Sequence, residues 1–107
     1  MNLSDVLVEA AGRMTPPPEI TTLPDGSLEF SRDGVVFASV EMSGDSAAFR
    51  LDDELAAAAR HTPDTGTTPR GNPWVVFGPG NLDAHAIDRA NAWFEAAYRR
   101  AVSGLAG

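Results

Sequence analysis

The chain has 107 residues, of which 43% are hydrophobic and 21% charged, with no cysteine and a net charge of −7. That length suits a single domain with one core, and the apolar content is too high for a disordered segment. Without cysteine there are no disulfides, no thiolate metal sites and no cysteine nucleophile.

The charge is unevenly placed. Residues 1–60 hold 11 acids against 4 arginines, a balance of −7, while residues 61–107 hold 4 acids and 4 arginines and balance to 0. A negative field repels phosphate backbones and anionic lipid surfaces, so nucleic-acid and membrane partners are disfavoured. Every basic residue is arginine and alanine is frequent, a bias expected of a high-GC bacterial genome. The first residues lack the basic start and apolar run of a signal peptide, and no stretch approaches the roughly 20 apolar residues of a membrane span. A cytoplasmic protein is expected.

In chain order, residues 1–15 predict a short helix. Ser4 is the expected N-cap, and Leu3, Val6, Leu7, Ala10 and Met14 recur at helical spacing. Gly12 and Thr15-Pro16 stop it, because proline removes a donor and restricts its predecessor. Pro16-Pro17-Pro18 reads as a stiff extended connector, and residues 19–103 as the α+β core. Glu19–Leu23 predicts a first strand, turned by Asp25-Gly26. Leu28–Arg32 alternates apolar and polar residues and Val35–Met42 is β-branched and aromatic, with Asp33-Gly34 between them. Asp-Gly between two such runs is a strong hairpin signal, since both turn residues need positive φ. Ser43-Gly44-Asp45 leads to a further strand, Ala47–Leu51. An antiparallel β-meander follows.

Asp52-Asp53-Glu54 opens a second helix, its carboxylates matching the free N–H groups and positive dipole end of the first turn. The alanine run carries it to about Arg60-His61. Residues His61–Pro73 form a long polar stretch with three prolines and two glycines, expected to be a loop, and loops of this length are often functional. Trp74–Phe77 predicts one more strand. A final helix, capped by Asn81 or Asp83, is expected to run to about Val102 and stop at Gly104. On a helical projection Ala86, Ile87, Ala90, Trp93, Phe94, Ala97, Tyr98 and Ala101 share one arc. Helices on one face of an antiparallel sheet make a two-layer α+β domain.

Few residues suggest chemistry. His85 and Asp88 lie three apart on the last helix, as one metal would require, but the zinc helix motif needs two histidines and a glutamate. Asp83 as a cap with both others solvated accounts for the same residues. His61 and Asp64 allow a general-base arrangement without a nucleophile-elbow pattern, and turn formation explains them equally well. Asp52-Asp53-Glu54 fits helix initiation without a cation. Thr65–Gly71, with Arg70, matches neither phosphate-loop nor dinucleotide pattern, although its backbone and Arg70 have the means to hold an anion. Trp74, Phe77 and Trp93 are core residues or the walls of a pocket between the sheet and the last helix, and Arg89 is spaced to stack on Trp93.

Asp33-Gly34-Val35-Val36-Phe37-Ala38, then Ala48-Phe49-Arg50-Leu51-Asp52, a short helix, a late strand and an amphipathic helix resemble two small bacterial families over residues 28–101. One is the N-terminal domain of TfoX/Sxy-type competence regulators; the other is the YjbR/MmcQ-like group. The resemblance implies an α+β fold with a regulatory or binding role and no recognised catalytic centre. DNA binding, suggested for the YjbR-like group, conflicts with the acidity and the absence of lysine, and the N-terminal helix and triple proline are unmatched.

The expected function is therefore a non-enzymatic interaction or regulatory module with a protein partner or a second copy, its surface the polar loop or a dimer face. The alternative is a small-molecule-binding protein or minor enzyme with a pocket lined by Trp74, Phe77, Trp93, Arg70 and His61. Neither reading requires a metal or cofactor.

Overall fold

The structure is a computed structural model that describes residues 2–68, 71 and 73–106. Helix α1 spans Leu3–Gly12 and is followed by strands β1 (Glu19–Thr22), β2 (Leu28–Arg32), β3 (Val35–Val40) and β4 (Ala47–Arg50). Then come α2 (Asp53–Ala59), β5 (Thr65–Gly66), β6 (Trp74–Phe77) and α3 (Ala84–Ala106). The six strands form one sheet in the order β1-β2-β3-β4-β6-β5, antiparallel throughout. This is the expected two-layer α+β architecture.

The cap of α1 differs from the Ser4 expectation. Asn2 is the N-cap: its Oδ1 accepts from Asp5 N at 3.0 Å, and Asp5 Oδ2 accepts from Asn2 N at 3.1 Å. Starting two residues earlier satisfies two free N–H groups reciprocally, which a Ser4 cap would not achieve. Leu3, Val6, Leu7, Ala10 and Ala11 then face the core, and Met14 packs against it from beyond the helix end.

The Asp33-Gly34 turn has φ of +48° and +84°, as a two-residue hairpin turn of this hand demands. Beyond it the ladder is irregular. Phe30 pairs with Ala38 but Ser31 pairs with Val36, which leaves Phe37 as an inserted residue. Such a bulge bends the strand and re-aims a side chain. Here Phe37 joins Ala38 in the buried core and reaches Phe94 at 5.5 Å and Tyr98 at 5.8 Å between ring centroids.

The core lies between the sheet and the helices. Phe30, Ala38, Phe49 and Val75 form one cross-strand row, and Leu28, Val40, Ala47 and Phe77 the next. Against them α3 lays Ala86, Ala90, Trp93, Phe94, Ala97 and Ala101, all buried. The small residues bring the helix close while Phe94 meets Phe30 edge-on at 4.9 Å. Buried residues of α1 and α2 belong to the same cluster.

Two boundaries depart from the sequence reading. The expected loop 61–73 contains the two-residue β5, which pairs with β6 through Thr65–Phe77 and Gly66–Val76. Two residues carry too short a pattern to announce a strand; the neighbouring ladder creates it. Likewise α3 continues past Gly104 to Ala106, since a lone glycine lowers helix propensity without breaking the hydrogen-bond ladder.

Candidate functional site

A sheet covered on one face by helices leaves its other face to be accounted for. Side chains alternate across a strand, so the register assigns Glu29, Ser39, Ala48 and Val76 to the side away from the helices. The next row on this side pairs Arg50 with Trp74. Ala48 and Trp74 are both buried, yet neither belongs to the main core cluster.

This face holds a depression of about 520 Å³, floored by Ser39, Ala48 and Val76 and edged by Thr68, Asp25 and Glu41. Its floor is small and uncharged, and both charged residues of its lining are carboxylates.

Those carboxylates are held by local turns. Asp25 Oδ1 accepts from Ser27 N at 2.8 Å and from Ser27 Oγ at 2.6 Å. These hydrogen bonds, the hydroxyl one first, hold the Asp25 carboxyl below its ordinary value of 3.8. The turn requires Gly26, whose φ is +91° and where a Cβ would come within 3.0 Å of Met42 Cγ. Glu41 Oε1 accepts from Ser43 Oγ at 2.8 Å, and Glu41 N donates to Ser46 O at 3.1 Å, closing the turn into β4.

The residues expected to wall a pocket fall in different places. Phe77 and Trp93 do meet, edge to face with centroids 5.2 Å apart, and Phe49 approaches Trp93 at 6.2 Å. The Arg89 guanidinium lies 6.0 Å from both the Phe77 and the Trp93 ring centroids, so the expected stack forms with a second ring added. Trp74 is on the opposite side of the sheet from Phe77, three residues away on the same strand. His61 is exposed just beyond α2, where its backbone N–H donates to Ala58 O at 3.1 Å. Arg70 lies outside the described residues.

The other candidates resolve as local structure. Asp83 Oδ1 accepts from Ala86 N at 2.9 Å and caps α3, while His85 and Asp88 are exposed. Asp52 Oδ1 accepts from Leu55 N at 2.8 Å and caps α2. Thr65 Oγ1 donates to Thr62 O at 2.8 Å within the turn after α2, and Asp64 takes φ +68° there. Among the described residues no group of three or more His, Asp or Glu is placed to hold a metal. No described helix is long and apolar enough to cross a membrane.

No family model matches the chain, and no curated protein matches it. The sequence reading did not find the Ser39–Ala48–Val76 floor. Its only signal is three small residues on three strands, and these become neighbours only once the strand order is known.

Proposed function

We propose that this protein is a non-enzymatic interaction module of the cytoplasm that receives a basic protein segment on the open face of its sheet. The observation that carries this reading is the depression over Ser39, Ala48 and Val76, edged by Asp25 and Glu41. A small, uncharged floor lets an extended chain lie close to the sheet, and the carboxylate edge favours cations over anions. The net charge of −7 steers partners in the same sense. It also disfavours a second copy, which would bring another acidic edge to the same face. The resemblance of residues 28–101 to TfoX/Sxy and YjbR/MmcQ-like proteins supports a regulatory role of this kind in a bacterial cell.

The test is fluorescence anisotropy with two labelled peptides, one alternating lysine and valine and one alternating glutamate and valine. The lysine peptide is expected to bind, weaken as salt rises, and lose affinity in Ala48→Arg and in Asp25→Asn/Glu41→Gln. Equal binding of both peptides, or indifference to Ala48→Arg, overturns the reading. A stable homodimer that Ala48→Arg dissociates would assign the face to a second copy instead.

A further inference from the structure

Strand β1 ends the sheet: it is bonded to β2 on one side and, among the described residues, to no strand on the other. All of its residues, Glu19 to Thr22, are exposed. Helix α3 packs chiefly on β2, β3 and β4, so β1 carries the sheet past the helix layer. Ile20 therefore stands 43% exposed although it pairs with the fully buried Phe30.

The turn after β1 fixes which backbone groups face outward. Leu23 N donates to Ser27 O at 2.8 Å, and the register continues from that pair through Thr21–Glu29 to Glu19–Ser31. In an antiparallel ladder, hydrogen-bonded pairs alternate with unbonded ones. Glu19, Thr21 and Leu23 thus bond to β2, while the N–H and C=O of Ile20 and Thr22 point away from the sheet. Pro18 and Pro24 stand at the next positions of the same parity. Neither has an N–H to offer, so the prolines confine the open edge to Ile20 and Thr22.

An open edge is a template for another strand, and this one is complementary to itself. With Thr21 opposite Thr21 across a two-fold axis, Ile20 of each copy falls opposite Thr22 of the other. Every outward N–H and C=O of Ile20 and Thr22 is then bonded. Moving the axis to Ile20 or to Thr22 faces one of these carbonyls with a proline instead.

The side chains agree with that register, because opposed residues share a face of the sheet. Thr21 meets Thr21 on the open face, and Ile20 meets Thr22 on the helix side. Glu19 falls opposite Leu23, so no carboxylate opposes another. Leu23 lines the sheet-face depression, and the second copy thereby adds its Glu19 beside that lining.

We infer that the protein forms a weak two-fold dimer by pairing β1 with β1 of a second copy, joining two sheets into one. The contact lies at the sheet edge, away from the face proposed to take a basic segment, and does not depend on that reading. So short a ladder belongs with small, transient interfaces. The charge of −7 on each copy opposes it until salt screens the repulsion.

The experiment is sedimentation velocity of the full chain from about 10 μM to about 1 mM, a range that covers weak affinities, at low and high salt. The amide shifts of Ile20 and Thr22 are followed by NMR over the same range. A dimer that grows with concentration and strengthens with salt is expected, the reverse of the salt effect on the lysine peptide. Thr21→Lys and Thr21→Glu each set like charges across the axis and should weaken the dimer by roughly tenfold or more. Their equimolar mixture should restore it. Thr22→Pro removes an outward N–H without touching the β1–β2 ladder and should also weaken it. A chain that stays monomeric throughout, or a dimer indifferent to both Thr21 variants, overturns the inference. So does a dimer that Ala48→Arg dissociates while Thr21→Lys leaves it intact, since that contact would lie on the sheet face.

Discussion

Phe77 and Trp93 meet edge to face in the core, 5.2 Å between centroids, and Arg89 lies at 6.0 Å from both rings. Trp93 is thereby committed to holding α3 on the sheet. Trp93→Ala should lower the unfolding free energy by about 3–5 kcal/mol. A double-mutant cycle with Phe77→Ala should give a coupling of roughly 0.5–1.5 kcal/mol. Urea titrations of the four proteins measure both. An unchanged midpoint in Trp93→Ala would show that the ring is not a core anchor.

Glycine substitutions should split by backbone geometry rather than by space. Neither Gly34 nor Gly12 has any atom within 4 Å of an added Cβ, but Gly34 has φ +84° and Gly12 has no such φ. Gly34→Ala should therefore destabilise by about 1 kcal/mol through backbone strain alone. Gly12→Ala, at the end of α1, should be neutral or stabilise by up to about 0.5–1 kcal/mol. Opposite shifts in thermal midpoint are the expected result.

The helix caps and the exposed pair on α3 make contrasting predictions. Asp83→Ala should cost about 1 kcal/mol, because it removes the acceptor for Ala86 N. His85→Ala and Asp88→Ala, both at exposed positions, should each stay within about 0.5 kcal/mol. A larger loss at His85 or Asp88 in chelator-free buffer, restored by zinc, would revive a metal role for that pair.

Asp25 gives the pH dependence. Its carboxyl is held below 3.8 by Ser27, so the ionised form is the favoured one in the fold. The associated stabilisation is complete above 3.8 and is lost as pH falls through the lower folded value. The Asp25 charge at the edge of the sheet-face depression therefore persists below the ordinary carboxyl value of 3.8. An NMR titration should find the Asp25 midpoint below 3.8, and Ser27→Ala should move it up towards that value.

What could be read in advance was local. Asp33-Gly34 specified a tight hairpin because both residues tolerate the positive φ of a two-residue type I′ turn. The arc of Ala86, Ala90, Trp93, Phe94, Ala97 and Ala101 specified the buried face of α3, because helical periodicity places those residues together whatever they pack on. Asp52 and Asp83 announced helix starts, since their carboxylates meet N–H groups only three residues ahead.

Contacts between distant segments had no such signal. The insertion at Phe37 depends on how β2 and β3 pair, and β5 exists only because β6 offers it a ladder. The separation of Trp74 from Phe77 is strand alternation, since residues three apart point to opposite faces, and helix placement decided only that Phe77 is the one in the main core. The candidate site is of this second kind, since Ser39, Ala48 and Val76 come from three strands. The amino-acid sequence by itself determined the elements, their caps and their buried faces, because those obey periods and hydrogen bonds spanning only a few residues. Strand order and helix placement decided which side chains share a surface, because that depends on long-range pairing and packing that no local period encodes.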